Sequence, residues 1–237
     1  MATRIDDAGN TPGIREQRRG PCTAIIILAA GSSTRMGRPK QLLTYGSHTL
    51  LRHAAEAAVA SCCGPVFVVL GAYASRLHRE IEGLPVRSVM NERWADGMGS
   101  SIQAGLAVLT TSHGPVRDTE AVILMLCDQP YVTAAVINNL VTVYHTTGKR
   151  MIASEYGGTL GVPALFGREY FAELSTMSGP TGAKRLIAAH ASEVVPVPFP
   201  KGMTDVDTAE DYQQLQRAMV LLALQPGTSE TGCQLSA

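Results

Sequence analysis

The stretch Ala24-Ile25-Ile26-Ile27-Leu28 constrains this chain most, because a β-branched run without polar alternation reads as a strand buried on both faces. Such a strand needs partners beside it and cover above and below. Gly31 follows it closely. The pattern returns in Val66–Leu70, closed by Gly71, and most strongly in residues 121–127; Val86–Met90 reads as a further strand. Helical spacing fills the intervals. Leu50–Val59 is Ala-rich, a short piece follows Gly71, residues 100–109 form another helix, and Thr133 caps one running to about Tyr144. Buried strands alternating with helices require crossover connections. The expected fold is therefore α/β, with a mostly parallel central sheet and helices on both faces. Residues 149–199 read as more irregular, with short strands and two helical pieces, and residues 208–224 close the core as a helix.

The 237 residues fit one domain, expected over residues 21–225. Residues 1–20 read as a mobile arm and residues 226–237 as a polar tail. Twenty basic and twenty acidic side chains leave no net charge, which removes the footprint of a nucleic-acid or anionic-membrane binder. Aromatics at 5% argue against base-stacking on single strands. No apolar run exceeds seven residues, too short to span a membrane, and Met1 to Gly20 lacks the apolar segment of a secretory signal. Five cysteines without a C-x-x-C pair fit reduced thiols in a cytoplasmic protein better than a zinc site or disulfide framework.

Three unusual segments follow strands directly, and in an open parallel sheet the carboxyl ends of the strands form the ligand crevice. The first is Leu28-Ala29-Ala30-Gly31-Ser32-Ser33-Thr34-Arg35-Met36-Gly37-Arg38-Pro39-Lys40-Gln41-Leu42-Leu43. Small residues allow close approach of backbone N–H groups to an anion, and Arg35 and Lys40 add fixed charge. It is neither a Walker A loop nor a dinucleotide fingerprint. A solvated surface loop is the plain alternative, but its place after a buried strand favours a phosphate cradle. The second is Cys127-Asp128-Gln129-Pro130. Asp128 suits Mg2+ held against phosphate oxygens, or equally an Asx-turn before the next helix. The third is Asn91-Glu92-Arg93-Trp94-Ala95-Asp96-Gly97-Met98-Gly99-Ser100-Ser101-Ile102, suited to base or ribose recognition at a helix N-terminus, with Trp94 as a packing anchor.

Two further segments have weaker signals. In Asp205-Val206-Asp207-Thr208-Ala209-Glu210-Asp211, Thr208 and Asp211 approximate a capping box. Asp205 and Asp207 lie outside that turn, and either could complete a metal site with Asp128. Gly179-Pro180-Thr181-Gly182-Ala183-Lys184-Arg185 reads as a turn opening a basic helix. The six histidines show no ligand spacing, and no G-x-S-x-G elbow exists.

Residues 28–43 resemble throughout the MobA-like nucleotidyltransferase signature L-A-[AG]-G-x-S-x-R-M-G-x-P-K-x-L-L. The other segments follow in the family's order, so the resemblance covers roughly residues 23–222. Ala30, where guanylyltransferases of the family carry a second glycine, and Trp94 to Ser101 make the chain most similar to the molybdenum cofactor cytidylyltransferase branch. The resemblance implies a Rossmann-like three-layer fold and transfer of CMP from CTP to molybdopterin, with Mg2+ as cofactor. It implies that Leu28, Ala29, Ala30, Gly31, Ser32, Asn91, Gly99 and Ser100 bind the nucleotide. Arg35 and Lys40 would hold the triphosphate, and Asp128 the metal with Asp205 or Asp207. A molybdenum hydroxylase or its maturation chaperone is the implied partner. The branch usually carries G-D-x-G-A-R where this chain has Pro180 in place of Asp and Lys184 in place of Arg. Lys lacks the bidentate phosphate fork of Arg, which leaves the acceptor open. Transfer to a sugar or alcohol phosphate, use of GTP, and a non-catalytic nucleotide-binding maturation factor are the rival readings.

Overall fold

The structure is a computed structural model and describes residues 22–111, 118–180 and 182–224. The arm (1–20), the tail (226–237) and Thr181 of the 179–185 turn lie outside the described residues. In chain order the elements are β1 (Cys22–Leu28), the small hairpin β2 (Thr44–Tyr45) and β3 (His48–Thr49), α1 (Leu50–Val59), β4 (Val66–Leu70), α2 (Ala74–Glu80), β5 (Val86–Met90) and α3 (Met98–Thr111). They continue with β6 (Thr119–Leu126), α4 (Ala134–Thr147), β7 (Met151–Tyr156), β8 (Thr159–Gly167), α5 (Phe171–Ser175), α6 (Ala183–Ala189), β9 (Val194–Pro198) and α7 (Ala209–Leu224).

The β-branched run takes the position its composition demands. β1 lies inside a seven-stranded sheet of order β5-β4-β1-β6-β8-β7-β9, with parallel neighbours on both sides. Its side chains alternate between two cores. Ile25 and Ile27 face the layer of α1 and α4, where Leu51, Ala55, Ile137 and Leu140 pack. Ile26 and Leu28 face the opposite layer, with Ile102, Leu106 and Leu174. Ile25, Ile26 and Ile27 are fully buried, each stabilising the fold by roughly 1.5–3 kcal/mol relative to exposure. The sheet is mostly parallel and covered on both faces, the expected α/β architecture. Thr133 caps α4 as expected, its side chain accepting from the Val136 N–H.

Residues 149–199 are more regular than their sequence suggests. β8 spans nine residues and runs antiparallel to both β6 and β7, while β9 pairs in parallel with β7. Gly161 and Pro163 interrupt the apolar pattern of β8, and the β7–β8 register shifts between Ala153 and Ser154. Tertiary pairing overrides those breaker signals. β9 is an edge strand carrying Pro196 and Pro198, the position where proline is tolerated. α7 returns across the front, burying Tyr212 and Leu215 against Leu43, Leu50 and Val206. Among the described residues no helix is long and apolar enough to cross a membrane.

Candidate nucleotide site

The loop after β1 has an asymmetric backbone. The carbonyls of residues 29–33 are all engaged by protein donors. The Gln41 side-chain amide donates to Ala29 O at 3.1 Å and Gly31 O at 2.7 Å. The Ala72 N–H donates to Ala30 O at 3.0 Å, and the Tyr73 hydroxyl to Ser32 O at 3.2 Å. Among the described residues, no acceptor takes the N–H groups of Ala30, Gly31, Ser32 or Ser33. Ser33 holds the left-handed conformation, φ 54°, that such an N–H nest uses. This backbone borders a cleft of about 310 Å³, whose lining includes residues 28–32, Lys40, Gln41, Trp94, Ser101, Asp128 and Pro180.

Charges of both signs meet at the cleft's edge. Lys40 Nζ donates to Asp128 Oδ2 and, at 2.7 Å, to Asp207 Oδ1. Arg35 donates to Asp207 Oδ2 at 2.9 Å. Burial opposes the charge of Lys40, but the adjoining carboxylates outweigh it and hold the ammonium well above the ordinary lysine value. Burial likewise works against ionisation of Asp207, yet Lys40 and Arg35 hold that carboxyl below its usual range. Asp205 differs. Burial, then the Asp128 and Asp207 carboxylates, raise it to about 6. Asp128 Oδ1, Asp205 Oδ1 and Gln129 Oε1 are buried without a hydrogen-bond partner. Among the described residues no three His, Cys, Asp or Glu side chains form a metal cage by themselves.

The segment after β5 builds the opposite wall. Asn91 is buried, and its amide donates to Ser100 Oγ at 2.9 Å and Ser101 Oγ at 3.0 Å. The Ser100 hydroxyl is turned back onto Arg93 O and Gly97 O. The Gly99 N–H donates to Gly179 O. Asn91, Gly99 and Ser100 therefore stand behind the wall and shape it, while Gly97, Met98 and Ser101 line the cleft. Asn91 uses the lone-pair side of Ser101 Oγ, leaving that hydroxyl to donate to a ligand. Trp94 combines the expected packing role with a lining one: a Cβ on Gly71 would stand 2.6 Å from Trp94 Cβ.

The expected residues separate accordingly. Leu28, Ala29, Ala30, Gly31, Ser32, Lys40 and Asp128 share one cleft, and Arg35 reaches its edge through Asp207. Arg38 stacks over the Tyr212 ring, 5.5 Å from its centroid. Thr208 and Asp211 do form a reciprocal capping box, through Thr208 N–H to Asp211 Oδ2 and Asp211 N–H to Thr208 Oγ1. Sequence reasoning missed Gln41 and the outward donor of Ser101. A polar residue beside the apolar pair Leu42-Leu43 was the available signal for Gln41, since a buried amide must find partners.

A free-donor loop at the carboxyl end of a parallel strand, facing fixed cations and a carboxylate, defines an α/β nucleotide-binding protein. The chain belongs to a particular group of these: the MobA-like NTP transferase domain family matches residues 25–194. It is 33% identical to nicotine blue oxidoreductase of Paenarthrobacter nicotinovorans over 207 residues, covering 82% of this chain and 97% of that protein. The solved Mycobacterium tuberculosis rv0371c homolog from Mycobacterium sp. strain JC1 is 30% identical, with a TM-score of 0.73 over 84% of this chain and 98% of its own. Rv0371c of M. tuberculosis H37Rv, solved in complex with manganese, is 27% identical, with a TM-score of 0.68 over 83% of this chain and 99% of its own.

Proposed function

We propose that this chain transfers CMP from CTP to a molybdopterin-type acceptor and releases pyrophosphate. The carrying observation is the loop 29–33, with its carbonyls engaged and its N–H groups free beside Lys40. That geometry suits a triphosphate. The Ser101 hydroxyl offers a donor for an acceptor atom of a base or ribose. Ala30 and the Trp94 to Ser101 segment favour the cytidylyl branch.

The donor set fits Mg2+. Buried carboxylate oxygens lacking a partner are hard ligands, and Mg2+ commonly takes one or two carboxylates and completes its shell with phosphates and water. Asp128 and Asp205 would hold it, because both oxygens of Asp207 already serve Arg35 and Lys40. When bound, the ion neutralises phosphate charge. The protein's own groups do the rest. Loop N–H groups and Lys40 bind the phosphates of the leaving group, and the wall from Trp94 to Ser101 orients the nucleoside. The acceptor phosphate is already ionised, so positioning and charge stabilisation suffice without a strong base.

The test is pyrophosphate release by the purified chain with Mg2+, molybdopterin and each of CTP, GTP, ATP and UTP. CTP-selective release supports the proposal. GTP selectivity moves the reading to the guanylyl branch, and nucleotide binding without turnover moves it to a maturation factor. Redox turnover of nicotine blue in place of pyrophosphate release would assign the chemistry named for that relative.

A further inference from the structure

We propose that Gln41 is a positioning residue that aims the nucleotide loop, an inference resting on the reading of residues 29–33 as a phosphate cradle. Gln41 is 1% exposed and lies directly after Lys40, in the helical turn Lys40–Leu42. Burying an amide is costly unless every polar atom is paired. Its partners all belong to one loop. Nε2 donates to Ala29 O and Gly31 O, and Oε1 accepts from Ser33 Oγ at 3.2 Å. No other part of the described chain takes up this side chain's hydrogen-bonding capacity.

The consequence follows from peptide planarity. A trans peptide points its C=O and the next N–H in opposite directions. Holding Ala29 O and Gly31 O against Gln41 therefore directs the N–H groups of Ala30 and Ser32 away from it. Released, these peptides could rotate and present carbonyl oxygens where phosphate oxygens must sit, replacing attraction by repulsion. The network also ties the loop to its cation. Ser33 Oγ accepts the Lys40 N–H at 3.1 Å while donating to Gln41. Gln41 thus sets both the polarity of the loop and its register against Lys40.

Gln41→Met keeps the volume and removes both donors. Its affinity for CTP with Mg2+, and for inorganic pyrophosphate with Mg2+, should fall about 10- to 100-fold by calorimetry, the scale of charge-assisted hydrogen bonds. The KM for the acceptor should stay within about twofold, and the 15N amide shifts that pyrophosphate induces at Ala30 and Ser32 should shrink. A melting temperature that drops while both affinities stay at the wild-type value would overturn the proposal, since that is a purely structural role. Should Gln41→Met fail to fold, Tyr73→Phe releases Ser32 O from a half-buried position. Pyrophosphate binding should then weaken roughly threefold, and unchanged binding overturns the proposal. Wild-type protein that binds neither CTP nor pyrophosphate overturns the cradle reading and this inference together. Wild-type binding that Gln41→Met retains in full overturns only the role of Gln41.

Discussion

The two halves of the sheet meet at β6 and leave opposite kinds of polar atom unpaired. On the parallel side, β1 and its loop satisfy their carbonyls and keep N–H groups spare. Beside the antiparallel half, the spare atoms are side-chain acceptors, Asp205 Oδ1 and Gln129 Oε1, with Asp128 Oδ1 at the boundary. One side offers donors, the other acceptors. A triphosphate suits the first, and a cation or an acceptor molecule rich in N–H groups suits the second. The donor side is built mostly of backbone, which a substitution reaches only through the side chains that hold its carbonyls, Gln41 and Tyr73. The acceptor side is built of side chains, which one substitution can remove outright.

Asp128 stands on the boundary, and its loss should have the largest effect. Asp128→Ala removes a partner of Lys40 and, on the proposed reading, a metal ligand from the acceptor side. Turnover should fall about 10³-fold, in the range seen when a charge-stabilising group is lost. Steady-state pyrophosphate release beside a melting curve checks this. A folded variant within tenfold of wild type would show that the two sides operate without that carboxylate.

Lys40→Met is expected next, at about 10² in kcat. It also separates the two sides. The ammonium pairs with Asp207 and with Asp128, one of the two carboxylates on which the proposed metal would draw. Without it, Mn2+ should bind nucleotide-free protein roughly tenfold tighter, because Asp128 then lacks its counter-ion while Asp207 keeps Arg35. Paramagnetic titration reads this directly. Unchanged Mn2+ affinity would mean that Lys40 does not compete for the carboxylates.

The same contrast explains what the sequence made legible. The parallel half announced itself through Ile25-Ile26-Ile27 and Val66–Leu70, followed by Gly31 and Gly71, and through residues 121–127, because strands buried on both faces have a distinctive composition. Its loop could be read because close backbone approach demands small residues. β8 could not, since Gly161 and Pro163 look like breaks and long-range pairing alone makes them strand. Asn91 was recognisable as a polar residue directly after a strand, but not as a bracket behind Ser100 and Ser101. That outcome depends on hydrogen bonds closing over nine and ten residues. Choosing Asp205 over Asp207 as the carboxylate with a spare oxygen needed the positions of Arg35 and Lys40, 172 and 167 residues away from Asp207.

A third substitution presses on the seam between the halves. A Cβ on Gly99, in the first turn of α3, would lie 2.7 Å from Met177 O and 2.8 Å from Ser178 Cα. Both contacts are backbone, so the clash cannot be relieved by one rotamer. Gly99→Ala should destabilise by about 2 kcal/mol, lowering the melting temperature by roughly 4–8 °C, and should weaken CTP binding as Pro180 is displaced from the cleft wall. An unchanged melting temperature would show that the halves slide against each other at little cost.

The smallest effect belongs to Asp205, and its sign is diagnostic. Burial, followed by the neighbouring Asp128 and Asp207 carboxylates, raises this carboxyl to about 6 in the folded chain. The unfolded chain ionises it near the ordinary aspartate value, ~3.9. The folded state therefore holds the proton more tightly. Its stabilising contribution is fully present below about pH 4 and is lost as pH rises through 6. At pH 8 the ionised group opposes folding. Asp205→Asn removes that opposition, and after discounting for solvent screening of a half-buried group it should gain about 1 kcal/mol at pH 8 and nothing at pH 4. Urea midpoints at both pH values, with a chelator present, measure the difference. Added Mg2+ should reverse the order at pH 8, because the wild-type carboxylate then has a counter-ion and the amide binds it less well. Midpoints that coincide at every pH would leave the acceptor side without the uncompensated charge that distinguishes it from the loop after β1.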